Sequence, residues 1–155
     1  MPRLLPQDVV RRCRQRPLPP VPDGVKLPVP ANCQAECVLN VTRILMDHHF
    51  RVRQAVKVMV ARVPNNTIAW KHLIETTVEK CYKMQVRNAF YLQDVAQNLI
   101  SSQCIPSSIR FIECTFSIMY RDCPDAYWKH NDDRCRVFVT SLNNCQYLFH
   151  RLWDI

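Results

Sequence analysis

The sequence predicts an all-α fold, a single disulfide-stapled domain of about six helices with an extended Pro-rich N-terminal arm. Nine cysteines in 155 residues are typical of an oxidising, extracellular compartment. The chain has one glycine, Gly24, whereas tight β-hairpins and phosphate-binding loops use several. Apolar residues recur at helical spacing along most of the chain. These observations argue against β-sandwich and nucleotide-binding folds and favour helices joined by short polar turns.

Residues 1–30 form the predicted arm, and residues 31–155 form the predicted helical domain. Eight of the eleven prolines fall in the arm. Because proline lacks a backbone donor, we expect little helix there apart from a turn around residues 7–16. The arm also carries four arginines, Arg11, Arg12, Arg14 and Arg16, which contribute to a net charge of +8. We interpret them as a solvated surface rather than a nucleic-acid site.

Six segments show the apolar spacing of amphipathic helices: residues 33–50, 52–63, 67–81, 88–100, 109–123 and 135–153. In the second segment the spacing from Val52 follows i, i+3, i+4, i+7, i+8 and i+11. The fifth segment differs, because Phe111, Ile112, Phe116 and Met119 surround it on most sides. A helix that is apolar nearly all round is buried, so we expect this helix at the centre of the fold.

The cysteines on these helices constrain their own pairing. Cys114 and Cys123 are nine residues apart on the fifth helix, which places them on opposite sides of it at about 100° per residue. They must therefore bond different neighbours. Cys33 and Cys37 lie one turn apart on one face, so each should reach another segment. The predicted result is a disulfide mesh around the central helix, but spacing alone leaves its connectivity open.

The cysteine spacing resembles that of the Plus-C odorant-binding proteins of insects, and of mosquito members above all. The match rests on the C-x3-C of Cys33 and Cys37, on the C-x8-C-P run from Cys114 to Pro124, and on two further cysteines. It spans residues 13–145, which is most of the chain.

The resemblance also implies a pairing, since the six-cysteine core of the wider family joins first to third, second to fifth and fourth to sixth. Carried over, this implies the bridges Cys13–Cys37, Cys33–Cys114 and Cys81–Cys123, with one pair among Cys104, Cys135 and Cys145. One thiol would then remain odd.

The resemblance implies a secreted carrier that binds a small hydrophobic odorant in an internal pocket and moves it through sensillar lymph to an olfactory receptor. Disulfides can hold helices around a hydrophobic cavity that close packing would otherwise fill. Methionine and aromatic side chains suit its lining. The predicted pocket residues are Met59, Trp70, Leu73, Phe90, Tyr91, Leu99, Phe111, Phe116, Met119, Tyr120, Phe138 and Phe149. We expect no cofactor, metal, nucleic acid or membrane insertion, and an odd cysteine favours a homodimer.

No catalytic residues are predicted. Glu75 and Glu79 lie one helical turn apart, and we interpret them as a solvated face. His48 and His49 are interpreted as a helix end rather than a metal site, and they are candidates for pH sensing. Of the two N-x-T sequons, Asn65 is the better acceptor. The alternative function is a secreted basic helical interaction protein that binds anionic membranes or glycans.

Overall fold

The computed structural model describes residues 3–17, 29–63, 68–85 and 104–123. These residues form five α-helices and one two-stranded antiparallel hairpin: α1 Gln7–Arg14, α2 Val29–Val41, β1 Leu45–Met46, β2 His49–Phe50, α3 Val52–Val60, α4 Ile68–Gln85 and α5 Pro106–Arg121. The predicted all-α class is confirmed. The helices predicted over residues 88–100 and 135–153 lie outside the described residues.

The central position predicted for α5 is confirmed. This helix packs against both α2 and α4, and along it Arg110 and Arg121 are the exposed side chains. Phe111, Ile112 and Met119 are at most 2% exposed. Because burial of such a side chain contributes roughly 1.5–3 kcal/mol, α5 supplies much of the stabilisation of the core.

The apolar stripes predicted on α3 and α4 also face the interior. Ala55 and Met59 of α3 are completely buried, as are Trp70, Ile74 and Val78 of α4. The two helices pack together, and their stripes belong to the same apolar cluster as α5. Helical periodicity therefore located this part of the core correctly.

The α2 helix ends at Val41, not near residue 50 as the sequence analysis predicts. The chain turns there because the Ile44 amide donates a hydrogen bond of 2.8 Å to the Leu39 carbonyl, the six-to-one contact of a Schellman motif. Arg43 takes the left-handed conformation that this motif needs, with φ 58°. Leu39 and Ile44 are both completely buried, which anchors the turn in the core.

A β-hairpin follows, and it corrects the prediction for the two histidines. Met46 of β1 pairs with His49 of β2. Between them, Asp47 and His48 have φ of 48° and 62°, as a type I′ turn requires. The sequence hides this hairpin because neither turn residue is glycine or asparagine. His48 and His49 therefore lie in a hairpin and not at a helix end.

Within the predicted arm, α1 occupies the place where a turn is expected. Leu4, Leu5, Val9 and Cys13 belong to the same buried cluster as the other helices, and α1 packs on α2. Residues 3–17 are thus fastened to the helical body by apolar contacts. The domain boundary at residue 30 stays a prediction.

Candidate functional site

Three disulfides link the described helices: Cys13–Cys37 between α1 and α2, Cys33–Cys104 between α2 and the start of α5, and Cys81–Cys114 between α4 and α5. The first pairing agrees with the one implied by the resemblance. The implied pairings Cys33–Cys114 and Cys81–Cys123 are wrong.

Distance along α5 explains both corrections. The Cα atoms of Cys81 and Cys114 are 5.7 Å apart, within the range that a disulfide can bridge. Cys123 lies nine residues further along the chain, about 13 Å away at 1.5 Å per helical residue, so it is out of reach of Cys81. Cys104 lies at the end of α5 that α2 approaches, and its Cα atom is 4.9 Å from that of Cys33.

The interlocking order of the bridges nevertheless follows the implied scheme. Counted along the chain, Cys104 is the fifth cysteine and Cys114 the sixth. The three bridges then join first to third, second to fifth and fourth to sixth. Cys104 is thus one of the six core cysteines, and Cys114 takes the sixth position in place of Cys123.

A polar contact reinforces the junction of α2 with the N-terminal end of α5. The backbone amide of Ile105 donates a hydrogen bond of 2.6 Å to carboxylate Oε2 of Glu36. Ile105 is the N-cap of α5 and its side chain supplies no capping acceptor, so Glu36 provides one of the acceptors that a first turn needs. The negative charge also suits the positive end of the helix dipole. Glu36 and Cys33 lie one turn apart on α2 and act on the same end of α5.

Seven of the twelve predicted pocket residues fall within the described structure, and they form two groups. Met59, Trp70, Phe111 and Met119 are at most 1% exposed and form part of the packed interior. Leu73, Phe116 and Tyr120 are half-buried. The remaining five, Phe90, Tyr91, Leu99, Phe138 and Phe149, lie outside the described residues.

Phe50 also packs against these buried residues, although the sequence analysis did not single it out. Its ring lies on Phe111 with centroids 5.2 Å apart and planes tilted by 56°, a favourable arrangement for two aromatic rings. Because Phe50 belongs to β2, a prediction without the hairpin could not place its ring against Phe111.

Ser107 and Ser108 are the capping residues that serine's preference for helix N-termini would suggest for α5, but both lie inside the helix, because its N-cap is Ile105. The Ser108 hydroxyl is buried in the first turns of α5, and among the described residues it has no hydrogen-bond partner. An unsatisfied buried polar group costs roughly 1–3 kcal/mol. The buried hydroxyl of Thr115, by contrast, donates a hydrogen bond of 2.7 Å to the Phe111 carbonyl.

A surface groove of about 540 Å³ lies between α3 and α4 and is open to solvent. We call it the α3 groove, and it is lined by Arg53, Val56, Lys57, Val60, Ala61, Val63 and Lys71. None of the predicted pocket residues lines it. The α3 groove is therefore distinct from the buried aromatic cluster.

Electrostatic interactions near the end of α5 are local. Arg121 donates to the Asp122 carboxylate from Nε at 2.7 Å and from Nη2 at 2.8 Å. These hydrogen bonds lower the pKa of the Asp122 carboxyl and raise the pKa of the Arg121 guanidinium. Both side chains are almost half exposed, so the pair adds little to stability.

Two other kinds of site are absent from the described ranges. No cluster of three or more His, Cys, Asp or Glu side chains there could hold a metal ion. Within the same residues, every helix is too short or too polar to cross a membrane.

Comparison with known proteins identifies the family. The family model described as AgamOBP47-like matches residues 2–139, a range that includes every described helix and all three bridges. No curated protein and no solved structure matches the chain. The matched family is one of carriers that bind small hydrophobic ligands, which agrees with the resemblance of the cysteine spacing. The chain belongs to the AgamOBP47-like family of insect odorant-binding proteins.

Proposed function

We propose that this chain is a secreted carrier that encloses a small hydrophobic odorant or other semiochemical in an internal apolar pocket. The observation that carries the proposal is the family match over residues 2–139. The three interlocking disulfides support it, because covalent links can hold helices around a ligand without complete packing of the interior. Binding and release are the whole of the proposed activity, with no chemical step.

The proposed ligand-binding surface lies at the edge of the buried cluster. Phe116 and Tyr120 are half-buried and lie one turn apart on α5, and Leu73 on α4 is half-buried as well. Side chains that keep some accessible surface can exchange solvent for a ligand, whereas completely buried ones cannot. Met59, Trp70, Phe111 and Met119 would form the rigid wall behind them, and the five predicted residues outside the described ranges complete the proposed lining.

Affinity for such a ligand comes mainly from apolar area removed from water, at roughly 25 cal/mol per Å² before the cost of ordering is subtracted. This contribution has no directional preference. We therefore expect broad selectivity among odorants of similar size, with differences set by shape and length.

The place of action is also part of the proposal. Disulfides persist in extracellular fluids, so three bridges within the described residues suit sensillar lymph. Delivery to an olfactory receptor is part of the proposed role. The odd number of cysteines, nine in all, favours a homodimer, and sedimentation velocity at several protein concentrations tests it.

Displacement of an apolar fluorescent probe by neutral odorants tests the pocket. Phe116→Ala and Ile118→Ala form a matched pair, since both side chains are half-buried on α5 but point about 200° apart around it. We expect odorant affinity to fall about tenfold in Phe116→Ala, because loss of an aromatic contact removes roughly 1.5 kcal/mol. Ile118→Ala should bind as the wild type does. Failure of the wild type to bind the probe, or equal affinity in both variants, would overturn the proposal.

The alternative function, binding of anionic membranes or glycans, is favoured by one observation on α1. Arg11, Arg12 and Arg14 are exposed near its carboxyl end. Arg12 pairs with Asp8 at 3.2 Å, so α1 keeps a net positive charge. If this is the function, Arg11→Gln/Arg14→Gln should lose binding to heparin or to phosphatidylserine vesicles. A wild-type protein that binds neither would eliminate it.

A further inference from the structure

The α3 groove combines an apolar wall with a cationic rim. Val56, Val60 and Val63 supply apolar surface, and Arg53 and Lys57 border it one helical turn apart. Its volume of about 540 Å³ falls within the range of roughly 300–1,000 Å³ that is usual for small-molecule sites. The shape and composition suit a ligand that is itself part apolar and part charged.

The charged side chains that line the groove are all cationic. Between Asp47 and Glu75 the sequence carries five lysines and arginines and no acidic residue. Arg53 and Lys57 are exposed, and neither forms an ion pair with another described residue. Like charges one turn apart on a helix repel each other. A bound anion would remove that repulsion.

Lys71 contributes a third cation from α4. Its ammonium nitrogen lies 4.0 Å from the carboxylate of Glu75, and both side chains are about half exposed. An exposed ion pair at this separation is weak, so an incoming carboxylate can compete for Lys71. Charges from two helices therefore converge on one groove.

We propose that the α3 groove binds a single-chain amphiphile with an anionic head, such as a long-chain carboxylate. The head group lies at Arg53, Lys57 and Lys71, and the hydrocarbon chain lies along the valines. A concave groove of this size fits one molecule better than the flat surface of a bilayer. The site goes beyond the proposed odorant pocket, because a neutral odorant has no group for the cationic rim.

Dodecanoate and dodecanol, each below its aggregation limit, test the proposal by calorimetry and by amide NMR. The test variant is Arg53→Gln/Lys57→Gln. The matched control is Arg51→Gln/Arg62→Gln, which removes the same charge from exposed positions beside α3 that do not line the groove. We expect dodecanoate affinity to fall roughly tenfold in the test variant, since two charge-assisted contacts are lost. The control should change it less than about twofold.

NMR separates the groove from the internal pocket. Dodecanoate should shift amide signals of residues 52–63, and dodecanol should not. Equal losses in the two double variants would indicate a general charge effect, and dodecanoate binding without shifts in α3 would place it elsewhere; either result overturns the proposal. The proposal is also overturned if Arg53 and Lys57 bind phosphatidylserine vesicles but do not bind monomeric dodecanoate.

Two measurements distinguish a failure of the groove proposal from a failure of the carrier proposal. Displacement of the apolar probe by dodecanol reports on the internal pocket, and both double variants should leave it unchanged. A protein that fails only the dodecanoate test keeps its odorant pocket. A protein that fails only the probe test keeps its anionic site.

Discussion

The N-terminal end of α5 and the middle of α5 are held in the fold by different means. At the N-terminal end, α2 holds the helix through the Cys33–Cys104 bridge and the hydrogen bond from Ile105 to Glu36. In the middle, α4 and the rest of the core surround Phe111 and Ile112, and the Cys81–Cys114 bridge adds to that packing.

A disulfide and apolar packing stabilise a helix in different ways. A disulfide acts mainly by restricting the unfolded chain, whereas apolar packing acts in the folded state and holds its elements locally in place. The middle of α5 has both kinds of support. Its N-terminal end also places Ile105 and Ile109 in the core, but the amides of a first turn lack partners within the helix and rely on contacts such as the one to Glu36, so this end should be the place where the helix opens first.

The largest expected effects come from removing a bridge at each place. Cys33→Ala/Cys104→Ala and Cys81→Ala/Cys114→Ala open loops of 71 and 33 residues, and each should cost about 4 kcal/mol in the free energy of unfolding, the longer loop slightly more. Urea unfolding measures the total loss in the free energy of unfolding for each variant. Amide hydrogen exchange should then be fast at the start of α5 in the first variant, while the middle of α5 stays protected in the second. Equal protection at the start of α5 in both variants would contradict the comparison.

Packing in the middle of α5 is tested by truncation of one isoleucine there and of a control isoleucine on α4. Ile112 is 2% exposed and Ile68, at the start of α4, is 88% exposed. Ile112→Ala should destabilise the protein by about 3 kcal/mol, because it removes buried surface and leaves a cavity. Ile68→Ala should change stability by less than about 0.5 kcal/mol. Chemical denaturation of both variants measures the difference, and similar losses would mean that α5 is not the centre of the core.

The polar contact at the N-terminal end of α5 is tested with two glutamates. Glu36→Gln keeps an acceptor for Ile105 but removes the charge, so it should cost about 1–2 kcal/mol. Glu79→Gln breaks an exposed ion pair of 3.2 Å with Lys83 and should cost about 0.5 kcal/mol or less. If the two variants have the same midpoint of urea unfolding, the Glu36 contact does not support α5.

The smallest effect is a gain in stability at Ser108. Ser108→Ala removes a buried hydroxyl that lacks a partner among the described residues, and it should stabilise the protein by about 1 kcal/mol. Ser117→Ala removes a hydroxyl that donates to the Glu113 carbonyl at 2.7 Å, so its gain should be smaller. Thermal unfolding compares them. A loss of stability in Ser108→Ala would show that its hydroxyl is satisfied in solution.

Several features could be predicted from the sequence because their causes are local. The stripes on α3, α4 and α5 repeat every three or four residues, and burial of one helix face follows directly from that repeat. The number of cysteines and the single glycine indicated a disulfide-linked helical protein without reference to partners in space. The cysteine spacing also predicted the family, which the match over residues 2–139 confirms.

Other features depend on residues far apart in the chain. Cys33 bonds Cys104 across 71 residues, and only the distance between α2 and the start of α5 decides that pairing. The same junction brings Ile105 to Glu36, 69 residues away. The hairpin turn at Asp47 and His48 lacks the Asn-Gly or Asp-Gly pair that usually marks such a turn, and Leu45 and Phe50 on either side of it pack in the core cluster.

The sequence by itself determined that this protein is helical, disulfide-linked and built around α5, because helical periodicity and composition act within each segment. Only the tertiary structure decided which cysteines pair, where α2 ends and how Arg53, Lys57 and Lys71 converge on one groove. The physical reason is that bonds, turns and charge clusters depend on distances between segments, and packing sets those distances.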